Sequence, residues 1–335
     1  MEPVRWGVIS TARIGVAKVL PGMLKSREIK ILAIASREEK RAKSWARKLG
    51  IPRAYGSYEA MLADPDIEAV YNPLPNHLHV PLTLAAARAG KHVLCEKPIA
   101  LTAIEAEMLR DLPRDRLVAE AFMVRHHPQW QEARKRALSG TLGQVHAIQV
   151  YFSYFNVDPK NVRNQADIGG GALLDIGCYP IVVARYIFGA EPVRAIAQID
   201  RDPNFGVDRL TSGIVDFGGG RRLDFTVSTQ SVAHQRVEVI GTKGRLEVPV
   251  PFNAPQGKAT RLYIDKGQKL GGASAKSIPI RPSDQYRLQG EAFGRAVRGL
   301  EPLAYGVEDA ISQMRVIDAL FRSAETGHWE SILGR

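Results

Sequence analysis

Over residues 1–122 short apolar runs alternate with stretches of helical period. Residues 5–10, 29–35, 67–72, 92–95 and 117–122 read as strands, and 14–26, 80–89 and 102–111 as helices. Strands that alternate with helices at this rhythm predict a parallel, doubly wound sheet. Beyond residue 122 the period changes. Residues 128–139 are helical, 144–155 form a long β-rich run, 156–171 are irregular and polar, and 172–188 read as an apolar helix with Asp175 inside its stripe. From 193 to 280 the chain is almost wholly β, with strands at 193–199, 210–217, 222–229, 235–240 and 245–248. Glycine-rich turns join several of them, so neighbours are expected to be antiparallel. Helices at 285–298 and 306–325 close the chain. The fold class is therefore α/β. A dinucleotide-binding domain with a parallel sheet spans 1–122, and an α+β domain on a large, mostly antiparallel sheet spans 123–335.

In open α/β sheets ligands sit at the carboxyl ends of the strands, so the residues delivered there set the candidate chemistry. The dozen residues from Gly90 to Leu101, GKHVLCEKPIAL, bring Glu96 and Lys97 to such an end, with Pro98 stiffening the exit. An isolated Glu-Lys pair is ordinarily a solvated surface pair, so context decides. The first strand runs into Ser10, Thr11, Ala12, Arg13, Ile14 and Gly15. A G-x-G-x-x-G turn lets the backbone approach a pyrophosphate at a helix N-terminus; here only the third glycine is present, as Gly15. About 20 residues on, where an NAD site places an acid on the ribose, the chain has Ser36-Arg37. A guanidinium fork suits a 2′-phosphate, which makes NADP the expected cofactor, ahead of NAD. Ser36 to Glu39 also reads as a capping box.

Leu74, Pro75, Asn76 and His79 belong to a proline-fixed turn expected to line the nucleotide cleft. His77 and His79 lack a third ligand of fitting geometry, so no metal is expected. Asp175 and Tyr179 stand four apart and fall on one helix face. An acid in an apolar stripe needs a cation or donors, and Pro180 is expected to kink the helix near Tyr179. Met123, Phe152 and Phe155 offer an apolar wall to a substrate, and Asn156, Arg163 and Asn164 offer polar contacts.

The 335 residues, 45% of them hydrophobic, suit two domains with ample core. No run reads as a membrane span or a signal peptide. Cys95 and Cys178 sit in apolar settings, as reduced thiols of a cytoplasmic protein would. The net charge of +11 favours anionic ligands, a phosphorylated cofactor among them, but no basic helix or zinc module points to nucleic acid.

EKP after an apolar strand, the strand–turn–helix start, P-N-x-x-H at residues 75–79 and G-G-x-x-x-D-x-G-x-Y at 170–179 occur together and in order. In this the chain resembles the Gfo/Idh/MocA oxidoreductases along essentially its whole length. It looks most similar to the branch of dimeric dihydrodiol dehydrogenases and NADP-dependent D-xylose dehydrogenases, through AYGSYE at 54–59, GKHVLCEKP and GGALLDIGCY. The resemblance implies a Rossmann domain and a sheet domain whose outer face joins a homodimer or larger homo-oligomer. It further implies cofactor contacts from Ser10, Thr11, Ala12, Arg13, Ile14, Ser36, Arg37, Leu74, Pro75, Asn76, His79, Glu96 and Lys97. Lys97, Asp175 and Tyr179 take the catalytic places, with Met123, Phe155, Asn156 and Arg163 beside the substrate. Two departures stand out: the degenerate glycine pattern, and Tyr179 where many relatives carry His.

Oxidising a hydroxyl requires loss of a hydride and removal of a proton. A phenol with a pKa of about 10 is a poor base at neutral pH. A lysine about 4 Å away, at an effective dielectric near 20, favours the phenolate by about 4 kcal/mol. Lys97 and Tyr179 thus read as an acid/base pair that Asp175 orients. The leading function is NADP-dependent oxidation of an aldose such as D-xylose or glucose at C1. The alternatives are a dehydrogenase or reductase of a cyclic diol or dicarbonyl, and a non-catalytic NADP-binding regulator, against which the intact Lys97, Asp175 and Tyr179 speak.

Overall fold

The computed structural model describes residues 2–332 and divides into two compact units, Met1–Met123 with Asp284–Ile311, and Val124–Ser283 with Ser312–Arg335. The first unit is built on strands β1 (Val4–Ile9), β2 (Ile29–Ala35), β3 (Arg53–Tyr55), β4 (Ala69–Asn72), β5 (His92–Cys95) and β6 (Val118–Glu120), in the order β3-β2-β1-β4-β5-β6. Every pairing is parallel. β1, β2 and β4 are buried almost throughout, as strands covered on both faces must be. This is the doubly wound order of a dinucleotide-binding fold, and it puts the ends of β1, β2, β4 and β5 on one edge.

The boundary of this unit differs from the sequence reading, because residues 284–311 return to it. Phe293, on the Gln285–Val297 helix, lies 5.5 Å from the fully buried Trp6 ring of β1. A Cβ on Gly290 would stand 2.8 Å from Ile29 Cδ1 and 3.2 Å from Met23 Cγ, so the helix lies close against these two side chains. Beyond its end, Arg298 donates through both terminal nitrogens to the Glu68 carboxylate at 2.8 Å. A linear scan sees this helix only as the element after a β domain.

The second unit carries a nine-stranded sheet of β7 (Val145–Phe155), β8 (Arg194–Arg201), β9 (Asp208–Asp216), β10 (Arg222–Ser228), β11 (Gln230–Gly241), β12 (Gly244–Val248), β13 (Lys258–Asp265), β14 (Lys276–Ser283) and β15 (Glu330–Ser331). The order is β14-β13-β12-β11-β7-β10-β9-β8-β15. Adjacent strands are antiparallel except β7 with β10. The Cys178–Phe188 helix is buried along nearly its whole length. Contrary to the sequence reading, 166–188 is long and apolar enough to span a membrane by length and composition, but most of it is buried inside the protein, as a core helix is.

In both units a π-helical turn precedes a helix that contains proline. Gly15–Val19 runs into Leu20–Met23 with Pro21, and Leu173–Gly177 into Cys178–Phe188 with Pro180. Proline lacks the N–H that an α-turn needs, and its ring crowds the carbonyl four residues back. A widened turn relieves that clash, so the disruption expected near Tyr179 takes this form.

Phe293→Ala is expected to destabilise the first unit by about 3–5 kcal/mol, the usual cost of emptying a buried aromatic site. Chemical denaturation followed by Trp fluorescence measures it. A loss below about 1 kcal/mol would show residues 284–311 to be an appendage.

Candidate active site

In the first unit the sheet edge gathers the expected nucleotide-binding residues. Ser10 ends β1 with φ of 99°, a left-handed conformation that favours glycine, at the place of the fingerprint's first glycine. Its Oγ accepts from Ala12 N at 3.1 Å, a bond that closes the turn in place of a second glycine. Thr11 is buried, whereas Arg13 and Ile14 are exposed at the start of the helix, whose first N–H groups have no partner within it. Those donors suit a pyrophosphate.

Ser36 closes β2, and Arg37 beside it is exposed. The capping box does not form. The Glu39–Leu49 helix starts after Glu38 without a side-chain cap, and Ser36 Oγ accepts from Glu38 N at 3.3 Å in a short turn. Glu39 pairs instead with Lys43 at 2.7 Å. Tyr58, which the sequence reading passed over, joins this edge. Burial pushes its phenol up, while Arg37, the Ser10 hydroxyl and Arg41 pull it down. The residues fit a phosphorylated dinucleotide: a cationic corner stands at the ribose end, with no carboxylate at residue 36 or 37.

The turn after β4 is braced from within. Asn72 Oδ1 accepts from Leu74 N at 3.3 Å, and Pro75 and Asn76 stay partly exposed. His79 is fully buried, with Nε2 at 2.7 Å from Leu74 O and Nδ1 at 2.7 Å from Pro98 O. Burial lowers its pKa to about 4. His79 therefore ties the Leu74 turn to the Lys97–Pro98 turn, and its ring has no surface left for a ligand. Among the described residues no group of three His, Cys, Asp or Glu is placed to hold a metal ion. Glu96 Oε1 accepts from the buried Tyr71 hydroxyl at 2.6 Å, and Lys97 follows it, half-buried. Cys95 is buried with its thiol pushed well above the ordinary range, which suits a core residue rather than a nucleophile.

The second unit holds the remaining groups. Asp175 lies in the π turn, and its Oδ2 accepts from Tyr154 OH at 2.6 Å and from Arg163 Nε at 2.8 Å. Burial, and then the Asp175 charge, push the Tyr154 phenol far up, so it stays a donor. Asp175 raises Arg163, which stays cationic. Tyr179 is 7% exposed, with its ring 5.2 Å from Phe252 and 6.0 Å from Phe152. The structure thus brings Arg163, Asp175 and Tyr179 into one cluster and adds Tyr154, Phe252 and Asp208.

Two glycines explain how the loop reaches the helix. A Cβ on Gly170 would come within 2.6 Å of Arg163 O and 2.7 Å of Gln165 O, and Gly171 N donates to Arg163 O at 2.9 Å. Gly171 has φ of 113° and abuts the Asp208 carboxylate, which accepts from Leu173 N at 2.6 Å and Thr211 Oγ1 at 3.0 Å. Other expected contacts lie elsewhere. Phe155 is 65% exposed, turned by strand alternation from the face that carries Phe152 and Tyr154. Asn156 and Asn164 fold their own loop, through Asp158 N to Asn156 Oδ1 at 3.0 Å and Asn164 Nδ2 to Asp158 O at 2.9 Å. Met123 is buried at the end of the first unit's leading segment. Tyr154 was legible only as one inward position of a strand, and Asp208, over 30 residues from its partner, carried no local signal.

A doubly wound sheet with a cationic ribose corner, together with a Tyr–Asp–Arg cluster on a second domain, defines an NAD(P)-dependent oxidoreductase acting on CH–OH groups. Comparison with known proteins agrees: residues 4–137 match the oxidoreductase family with an NAD-binding Rossmann fold, and 130–247 the GFO/IDH/MocA C-terminal domain. The chain belongs to the Gfo/Idh/MocA family. It is 40% identical to D-xylose 1-dehydrogenase (NADP(+)) 2 of Haloferax volcanii, over 96% of this chain and 98% of that protein. It is 33% identical to a trans-1,2-dihydrobenzene-1,2-diol dehydrogenase of Bos taurus, over 84% and 81%. A 3-ketoreductase from Actinomadura kijaniata, solved with NADP and TDP-benzene, superposes with a TM-score of 0.88 at 31% identity, over 96% of this chain and 98% of that one.

Asp208 gives this region a pH signature. Burial raises its pKa to about 6 despite the two hydrogen bonds. The ordinary carboxylate value is about 4, so its contribution to stability is complete below about pH 4 and is lost as pH rises through about 6. Wild type should therefore lose stability relative to Asp208→Asn between those values. Urea unfolding at a series of pH values measures the difference, and a constant difference contradicts the assignment.

Proposed function

We propose that the protein is an NADP-dependent dehydrogenase of a sugar hydroxyl, acting at C1 of an aldose such as D-xylose. The observation that carries this reading is the cluster on the π turn, where a phenol packed among aromatic rings shares a helix start with a carboxylate already held by two donors. When bound, the nicotinamide supplies a hydride acceptor. The chain's own task is the proton. Tyr179 takes it from the substrate hydroxyl, Asp175 orients that hydroxyl, and Lys97, on the turn after β5, is the other candidate for the proton. Serine and arginine at the end of β2, in place of an acid, support NADP, as do the names of the xylose dehydrogenase and the ketoreductase. A second reading, oxidation of a cyclic diol, draws on Phe152 and Phe252 around Tyr179 and on the dihydrobenzenediol relative. Aldoses and cyclic diols offered with NADP and with NAD, followed by absorbance of the reduced cofactor, separate the two readings. Absence of turnover with all of them would leave a cofactor-binding regulator.

Arg37→Ala is expected to weaken NADP by about 1.5–3 kcal/mol, the worth of a charge-assisted hydrogen bond, while leaving NAD nearly unchanged. Fluorescence titration of both cofactors measures it, and equal affinities in the wild type would refute the preference.

Lys97→Met and Tyr179→Phe should each lower turnover by about 10² to 10⁴-fold, with NADP affinity retained. If they serve one proton transfer, the double variant loses little beyond the worse single one. Near wild-type turnover in Tyr179→Phe would make that residue packing and pass the proton to Lys97.

A further inference from the structure

The core helix begins without a cap of its own. Residues 169–172 read Gly-Gly-Gly-Ala, and the turn they enter has no side-chain cap. The first N–H groups of a helix find no partner within it, and an end left unpaired frays. A capping side chain cannot be fitted at Gly171: its φ of 113° favours glycine, and a Cβ there would collide with Asp208 Oδ1. β9 supplies the acceptor instead. Asp208, only 1% exposed, accepts from Leu173 N at 2.6 Å on Oδ2, and Thr211 Oγ1 donates to the same oxygen at 3.0 Å. Burial raises the Asp208 pKa to about 6, so its surroundings do not favour the charge, and what Leu173 receives is an acceptor oxygen.

The turn capped in this way carries the site's polar groups. Asp175 follows Leu173 within the same five-residue π turn, and Tyr179 is the second residue of the helix that continues it. Fraying of an uncapped start is felt over about the first turn, which is the stretch that holds Asp175. Tyr154 and Arg163 converge on Asp175 Oδ2, so a shift of the turn breaks both bonds together. We propose that Asp208 is a positioning residue: by capping Leu173 from a neighbouring strand it fixes the turn that presents Asp175 and Tyr179 to the substrate. This rests on the reading of Asp175 and Tyr179 given above and adds a residue that acts on the substrate only through them.

Asp208→Asn keeps an acceptor oxygen without the charge, and Asp208→Ala removes it. With NADP and either D-xylose or trans-cyclohexane-1,2-diol, Asp208→Ala should lower kcat by about 10- to 100-fold, the cost of leaving a buried N–H unpaired, with KM for NADP unchanged. Asp208→Asn should restore kcat to within about 3-fold of wild type. Val215→Ala empties a buried site on the same strand; it controls for lost stability and should keep wild-type kcat. Hydrogen exchange read by mass spectrometry needs no substrate. Protection of residues 172–177 should fall by about 10-fold in Asp208→Ala and return in Asp208→Asn, while 181–188 stay protected in both. Thr211→Val removes one of the two donors that fix Oδ2 and should lower kcat by about 3-fold, which keeps the test open if the alanine variant does not fold. Unchanged protection or wild-type kcat in Asp208→Ala, protection regained without kcat in Asp208→Asn, or an equal loss of kcat in Val215→Ala would overturn the inference. No turnover of either compound by the wild type, or undiminished turnover in Tyr179→Phe, would instead overturn the reading on which it rests.

Discussion

The polar cluster of the second unit depends on one close approach, that of Gly170 to the carbonyls of Arg163 and Gln165. A methyl group there would stand at distances that real side chains do not tolerate, so the 161–165 turn could not rest on the start of the core helix. Once it rests there, Arg163 faces Asp175, Tyr154 can reach the same carboxylate oxygen, and a buried acid acquires the donors that make its burial affordable. Asp208 completes the arrangement from beneath by holding the N–H of Leu173. The geometry of charge in this unit follows from a contact in which no side chain takes part.

The first unit achieves similar rigidity by another route. Its ligand edge is a set of turns, and those after β4 and β5 are tied to their neighbours by buried groups: Tyr71 to Glu96, His79 to the carbonyls of Leu74 and Pro98, and Glu120 to the N–H of Ile99 at 2.8 Å. Loops are ordinarily mobile because their backbone groups are satisfied by water. Here protein atoms replace that water, and Lys97 is carried on a fixed support.

Much of this was legible in the sequence because it is written in local pattern. β2 and β5 fall on the residues that apolar runs marked, and the 128–138 and 285–297 helices begin and end within a residue or two of their expected limits. Arg163, Asp175 and Tyr179 stood out because charge and phenol interrupt polar-loop and apolar-helix text. What was not legible depends on distance along the chain. The partners of Asp208, the second donor to Asp175 and the return of residues 284–311 are contacts between remote segments, for which periodicity carries no information. The role of His79 was obscured for a different reason. The motif showed that a histidine is wanted, but only burial shows that it binds carbonyls of its own chain. Capping failed at Ser36 because the short turn there uses the same hydroxyl to hold the N–H of Glu38, the residue before the helix begins.

The discontinuous first unit has a consequence for how the polypeptide is made. Its sheet is complete in covalent terms at Glu120, yet the helix whose Phe293 covers Trp6 is translated more than 150 residues later. During synthesis the ribosome therefore releases an open-faced sheet first, then eight of the nine strands of the second sheet, and only afterwards the segment that seals the earlier face. A nascent chain in this state leaves the Trp6 face of that sheet uncovered for the time needed to translate half the protein. The same order means that a graft of the nucleotide-binding half onto another scaffold must carry two separate pieces of the gene.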